Sequence, residues 1–269
     1  MERSLITVWL ERLELFLYRR ASMIVTVTNS FRDDLSRRGI DAAKIHVVVN
    51  GVDQRRYSPR PRDQDLASKY HLDGHFVVGY LGTHGMAHGL DKVEEAVEIL
   101  RERKDIVFLF VGGGAERARL EQIVVRKGLE NVRMVPRQPK EMMPRLWSLC
   151  DVSLIPLRDR PVFSTVIPSK LFESMGMGVP VIMSVPRGEA TNIVEKTGCG
   201  VVVPPDDPKA IATAIAALAH DPVRMSRFRE NCLRAVPNYN RDHQAGLMLD
   251  VLARTVSSYS KNNQKLSAL

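Results

Sequence analysis

The chain predicts an α/β protein built on a doubly wound, Rossmann-like parallel sheet, preceded by an incomplete remnant of another sheet. Two observations carry this. From residue 76 onward short apolar runs alternate with amphipathic helical stretches, the rhythm of βαβ units. Those runs are apolar throughout rather than alternating, as expected of strands covered on both faces. A third observation is the contrast with the first fifty residues, which hold only two short strand signals, too few for an independent sheet.

In order, residues 4–20 read as a helix, Ile24 to Val27 as a strand, 30–38 as a helix and Ile45 to Val49 as a strand. Asn50-Gly51-Val52-Asp53 reads as a turn, and the polar, proline-bearing stretch after it as an interdomain link over 51–75. Its Arg55, Arg56, Arg60 and Arg62 are most simply solvated charges. Six strands follow, at Phe76 to Leu81, Ile106 to Val111, Val132 to Val135, Val152 to Ile155, Val179 to Met183 and Gly200 to Val203. Helices are expected between them near 90–103, 115–127, 139–149, 168–177 and 189–196, then near 208–220, 222–235 and 241–256. The expected organisation is a remnant over 1–50, the link, a ligand-binding domain over 76–235, and a C-terminal helix and tail over 236–269, polar and frayed after about 257.

Composition narrows the function. With 44% apolar residues in 269 the chain can bury a substantial core. No run of eighteen apolar residues reads as a membrane span, and the N-terminus lacks the pattern of a cleaved signal. Cys150, Cys199 and Cys232 are scattered, without metal-ligand spacing, and suit a reducing cytoplasm. The excess of 39 Lys and Arg over 31 Asp and Glu, net +8, favours an anionic partner. Zinc-finger spacing, RNA-binding aromatic signatures and long basic runs are all missing, which argues against nucleic acid.

The most informative segment runs from Ile167 to Ile182. Pro168 suits the first helical position, which makes Ile167 the N-cap. That side chain can cap nothing, so the N–H groups of Ser169, Lys170 and Leu171 are expected to point outward and attract an anion. Lys170 adds a mobile positive charge, and Glu173, one turn on, offers an acceptor for sugar hydroxyls. The plainer reading is a solvated lysine and a glutamate that complements the helix dipole.

Ligands of open parallel sheets bind beyond the carboxyl ends of the strands. After the first strand comes Gly82-Thr83-His84-Gly85-Met86-Ala87-His88-Gly89, whose glycines permit close approach to a ligand. His84 and His88 have the i, i+4 spacing of a helical metal pair, but the glycines argue for a loop and no third ligand is evident. Gly112-Gly113-Gly114 is either another phosphate-approach loop or a tight turn, and Arg137 is either a nucleobase contact or a surface charge.

Taken together, these segments resemble the C-terminal, sugar-donor-binding half of a retaining GT-B glycosyltransferase of family 4. The resemblance runs through Asn50 to Asp53, Gly82 to Gly89, Val111 to Gly114, Asp151-Val152 with Ile155-Pro156-Leu157, Pro168-Ser169-Lys170 with Glu173 and Gly178 to Ile182, then Gly188-Glu189 and Gly200 to Pro205. It covers nearly the whole chain. It implies that Glu173 binds the ribose of a nucleotide diphosphate sugar. Pro168, Ser169, Lys170 and Leu171 would meet the diphosphate, and Gly82, Thr83, His84 and Gly85 would lie across the phosphates. Lys170 and Glu173 would thus be the catalytic pair, with Arg137 and Thr165 completing the sugar-donor site. The resemblance implies no obligatory metal and no cofactor beyond the nucleotide sugar, which would be the substrate, and an acceptor that is a glycan or lipid-linked.

Three departures from that family qualify the resemblance. Thr165 stands where many members have a second glutamate, and Thr83 and His88 stand where an arginine and a lysine commonly grip phosphate. Against the family pattern, most of an acceptor-binding first domain is expected to be missing: either the sequence is a fragment with a late start, or a separate polypeptide supplies that half as a partner. The helix at 4–20, with Leu5, Trp9, Leu13, Phe16 and Leu17, would then seek a partner chain, rest peripherally on the inner membrane face, or be an orphaned core helix.

Overall fold

The computed structural model describes residues 5–266, with side chains through 257. The chain divides into two compact units, Gly51–Asn240 and a second made of Met1–Asn50 with Arg241–Leu269.

The second unit contains α1 (Leu5–Arg20), β1 (Ile24–Thr26), α2 (Asn29–Arg37) and β2 (Ile45–Val47), with β1 and β2 paired in parallel. Thr28 caps α2 by accepting the Phe31 N–H at 3.2 Å. A small core of Ile24, Leu35, Ile40 and Ile45 is joined by Leu15, Tyr18 and Ala21. Arg38 pairs with Glu14 at 2.6 Å. The other face of α1 leaves Leu5, Ile6, Trp9, Leu10, Leu13, Phe16 and Leu17 exposed. The long C-terminal helix grouped with this unit continues to Leu266 rather than ending near 256. Residues 267–269, the end of the tail expected to fray, lie outside the described residues.

Unit Gly51–Asn240 is the sheet domain. In chain order it comprises α3 (Gln64–Lys69), β3 (Phe76–Leu81), α4 (Leu90–Ile99), β4 (Ile106–Val111), α5 (Arg117–Lys127), β5 (Val132–Val135), α6 (Met143–Trp147), β6 (Val152–Pro156), α7 (Ser169–Met177), β7 (Val181–Ser184), α8 (Glu189–Thr197), β8 (Gly200–Val203), α9 (Pro208–Ala219) and α10 (Pro222–Ala235). The strands form one parallel sheet in the order β5-β4-β3-β6-β7-β8. The direction of winding reverses between β3 and β6, and this switch point opens the crevice at their carboxyl ends. The doubly wound α/β fold expected of the sequence is thus present.

Alternation along the strands assigns the two faces. Val78, Tyr80, Phe108 and Phe110 pack with Leu90, Val93, Ile211 and Ile215 in one core. Val77, Leu81, Leu109 and Val111 pack with Leu66, Leu146 and Trp147 in the other. Gly79 has no side chain because a Cβ there would lie 2.3 Å from Cys150 Sγ.

The stretch read as a link is part of the fold. Val52 is buried and donates its N–H to the Tyr239 carbonyl at 2.8 Å, while Leu66, Ala67 and Leu72 enter the second core. Arg62, expected to be solvated, reaches the Leu72 carbonyl at 2.9 Å and Asp151 at 3.4 Å. Residues 236–240 close the same unit. Asp63 secures α3 by accepting the Leu66 N–H at 3.0 Å and pairing with Arg145 at 2.5 Å. Asp63→Ala removes that cap and should cost about 1–2 kcal/mol, a fall of roughly 2–4 °C per kcal/mol in the melting temperature. An unchanged thermal midpoint by circular dichroism would show that the cap contributes nothing.

Candidate functional site

The site is assembled from the loops after β3, β4 and β5 and the start of α7, all at the carboxyl edge of the sheet. The β3–β4 ladder does not stop where the strands end. Gly82 donates to the Val111 carbonyl at 2.9 Å, Gly112 to Val135 at 3.1 Å, His84 to Gly113 at 2.9 Å and Glu116 to His84 at 2.9 Å. The two glycine loops are therefore zipped to one another, close enough that a Cβ on Gly112 would lie 1.9 Å from the Gly82 oxygen. Arg117 clamps the junction from α5, donating to the Gly112 carbonyl at 2.6 Å and the Val135 carbonyl at 2.9 Å. The loops line a cavity of about 500 Å³ with Thr83, Arg137, Gln138 and Met143, a volume in the range of small-molecule sites. Of the two readings of Gly112 to Gly114, the cavity-lining one describes their position, and exposed Arg137 borders the same space.

Alpha-helix α7 starts one residue later than expected. Pro168 is the N-cap, with ψ of 129° and no side-chain cap. Its carbonyl accepts the Leu171 N–H at 3.0 Å, so Leu171 is not an open amide, and its side chain is fully buried. The amides of Ser169 and Lys170 remain as the uncapped first turn.

Lys170 differs more from expectation. It is not a mobile charge, since it is only 8% exposed and its Nζ lies 4.0 Å from the centroid of the Tyr80 ring. That buried Nζ has no hydrogen-bond partner. It also lies 3.4 Å from where a Gly82 Cβ would be, so the glycine at 82 leaves room for it beside the cavity wall. Burial pulls the Lys170 ammonium down to about 7, against an upward push from Glu173.

Around Tyr80 stand two imidazoles, His84 at 5.6 Å and His88 at 6.0 Å between ring centroids. The Tyr80 hydroxyl is held by the Thr83 carbonyl at 2.5 Å, and burial pushes the phenol pKa up. His84 is wholly buried with neither ring nitrogen partnered, and burial, then the charges of Arg117, Lys170 and His88, bring it down to about 4. Burial and Lys170 bring His88 to a similar value, partly opposed by the Pro156 carbonyl. Both imidazoles are thus neutral near pH 7. Among the described residues no three His, Cys, Asp or Glu side chains come together as a metal site.

Glu173 is half-buried one turn into α7, and Trp147 donates Nε1–H to its Oε2 at 3.4 Å. Gly85 is half-buried, with only Thr83 and His88 side chains near it. Thr165 closes a 3-10 turn and spends its hydroxyl on the Val162 carbonyl at 2.8 Å. Sequence reasoning missed Tyr80, Trp147 and Arg117. Tyr80 is a core position by strand alternation, and nothing local reveals that its ring receives a lysine from α7.

Residues 62–234 match the family model of glycosyl transferases group 1, and residues 1–56 match that of glycosyltransferase family 4. The chain belongs to the glycosyl transferases group 1 family. Its relatives include the alpha-D-kanosaminyltransferase of Streptomyces kanamyceticus, 27% identical over 228 residues, 83% of this chain and 57% of that protein. Another is the putative colanic acid biosynthesis glycosyl transferase WcaI of Escherichia coli K12, 26% identical over 81% of this chain and 54% of that protein. Among solved structures, HepE of Anabaena in complex with UDP and glucose matches with a TM-score of 0.74 at 20% identity, over 96% of this chain and 66% of that one. Sucrose-phosphate synthase of Thermosynechococcus elongatus matches at 0.77 and 22% identity, over 96% and 63%. The fold is that of GT-B glycosyltransferases, and the chain spans about half the length of the relatives it matches. No helix among the described residues is long and apolar enough to cross a membrane.

Proposed function

We propose that unit Gly51–Asn240 binds the nucleotide diphosphate sugar of a retaining glycosyltransferase that acts on a glycan or lipid-linked acceptor. The observation that carries this reading is the uncapped start of α7 with Lys170 and Glu173 on its first two turns, beside two glycine loops at the switch point of the sheet. A pyrophosphate takes the amides of Ser169 and Lys170 and the Lys170 ammonium. Glu173 accepts hydrogen bonds from the ribose hydroxyls, and the Gly82–Gly85 loop lies along the phosphates. Arg137 and Thr165 are assigned to the base and sugar ends of the same site.

Retention follows from front-face attack, in which the departing diphosphate accepts the proton of the acceptor hydroxyl. The protein's main contribution is then electrostatic, stabilising the leaving group with helix amides and a lysine, without a metal. UDP, GDP and dTDP in a thermal-shift assay test the reading. One of them should raise the melting temperature progressively, with about 2.7 kcal/mol of added stability at one hundred times its dissociation constant. No shift with any of the three overturns the assignment.

A second reading, a non-catalytic nucleotide-sugar-binding subunit that needs a partner chain supplying the acceptor domain, is favoured by the exposed apolar face of α1. Purified chain that transfers sugar alone argues against it.

A further inference from the structure

Lys170 poses a physical problem that an anion site does not by itself answer. Its amine is nine-tenths buried, carries up to three N–H donors, and has no acceptor for any of them. Unsatisfied buried polar groups are rare and call for an explanation.

The groups that face it are few. From β3 comes the Tyr80 ring, which attracts a cation through its face but leaves the N–H donors without acceptors. From the loop after β3 come His84 and His88, both uncharged near pH 7 and both disfavouring a charge on Lys170 if they were protonated. Arg117 on α5 acts on His84 in the same sense. From α7 itself comes Glu173, which favours the charge. Burial outweighs the carboxylate and pulls the amine down to about 7, so without a ligand it is poised around neutrality between its two forms.

We propose that binding of a nucleotide diphosphate at the start of α7 is coupled to uptake of a proton by Lys170. This rests on the sugar-donor-site reading and adds a regulation to it. The diphosphate brings negative charge and oxygen acceptors to a nitrogen whose donors are unused, so the protonated form is the one the complex stabilises. The sign follows by linkage: the amine binds its proton more tightly in the complex than in the free protein. Affinity is therefore full below the free pKa, near 7, and declines as pH rises above it. Site occupancy in this protein becomes sensitive to pH in the neutral range, where a solvated lysine would be fully charged.

Isothermal titration of the full chain with UDP, GDP or dTDP, at about pH 8 in two buffers of different ionisation enthalpy, counts the protons. The wild type should take up close to one proton per nucleotide, and its affinity should fall towards tenfold per pH unit between about pH 7 and 9. Lys170→Arg, charged at every such pH, should bind with no uptake and a flat profile.

Binding without proton uptake overturns the coupling and leaves the site reading intact. Uptake that persists in Lys170→Arg moves the proton to His84 or His88 and also overturns it. No binding of any of the three nucleotides overturns both. A ligand-free measurement separates these cases further. In protein labelled with [ε-13C]lysine, the resonance lost in Lys170→Arg should titrate near pH 7, and a midpoint near 10 overturns the proposal whatever the ligand does.

Discussion

An alanine at position 112 is expected to lower the stability of unit Gly51–Asn240 by about 3–5 kcal/mol, among the largest effects a single methyl can have. Two costs combine. Gly112 has φ of 146°, a region that side chains rarely adopt, and its Cβ would lie 1.9 Å from a backbone oxygen, that of Gly82. Neither partner can swing aside, because Gly82 and Gly112 both continue the sheet's hydrogen-bond ladder and Arg117 holds the Gly112 carbonyl. At roughly 2–4 °C per kcal/mol, the melting temperature should fall by about 6–20 °C. Gly113→Ala is the control, one residue away. A Cβ there would meet only Arg137, at 3.9 Å, and its φ lies outside the left-handed range, so the change should stay within about 0.5 kcal/mol. Equal thermal midpoints for the two variants would show that the loops are not locked together.

How far this locking could be read in advance depends on where its causes lie. The sheet was legible because Ile106 to Val111 and Val179 to Met183 are apolar runs bounded by polar or glycine residues, and helix and strand periods differ. The glycines at 82 and 112 announced close approach, read from the sequence as approach to a ligand or, at 112, as a tight turn. Their partners are each other, across β3 and β4, and only the strand register brings them together. Helix α3 was illegible for a related reason. Its apolar Leu66 and Ala67 form only a short apolar pair just after the arginine- and proline-rich stretch 55–62, and they signify a helix only once the core that receives them exists. Lys170 illustrates the limit at the candidate site: its place in α7 followed from Pro168 and Ser169, whereas its burial is set by Tyr80 on a distant strand.

The same distinction shapes the second large effect, expected at Glu173. Glu173→Ala should weaken nucleotide diphosphate binding by about 1.5–3 kcal/mol, some ten- to 150-fold, through loss of charge-assisted hydrogen bonds to ribose. The carboxylate does more than accept from a ligand. It receives Trp147 Nε1–H at 3.4 Å and favours protonation of Lys170, so removing it should also lower the fraction of Lys170 that is charged before a ligand arrives. Two contributions to affinity are thus lost together. Glu173→Gln separates them from shape, because it keeps the side chain's volume and one carbonyl acceptor but carries no charge. Calorimetry near pH 6, where wild-type Lys170 is largely protonated and the variant's lysine is more charged than at higher pH, should show a deficit nearer to the ribose contribution alone. Near pH 8 the deficit should widen as the lysine loses the carboxylate's support. Equal affinities of wild type and Glu173→Ala would remove the ribose role altogether. A deficit that does not change with pH would leave that role in place and uncouple Glu173 from Lys170.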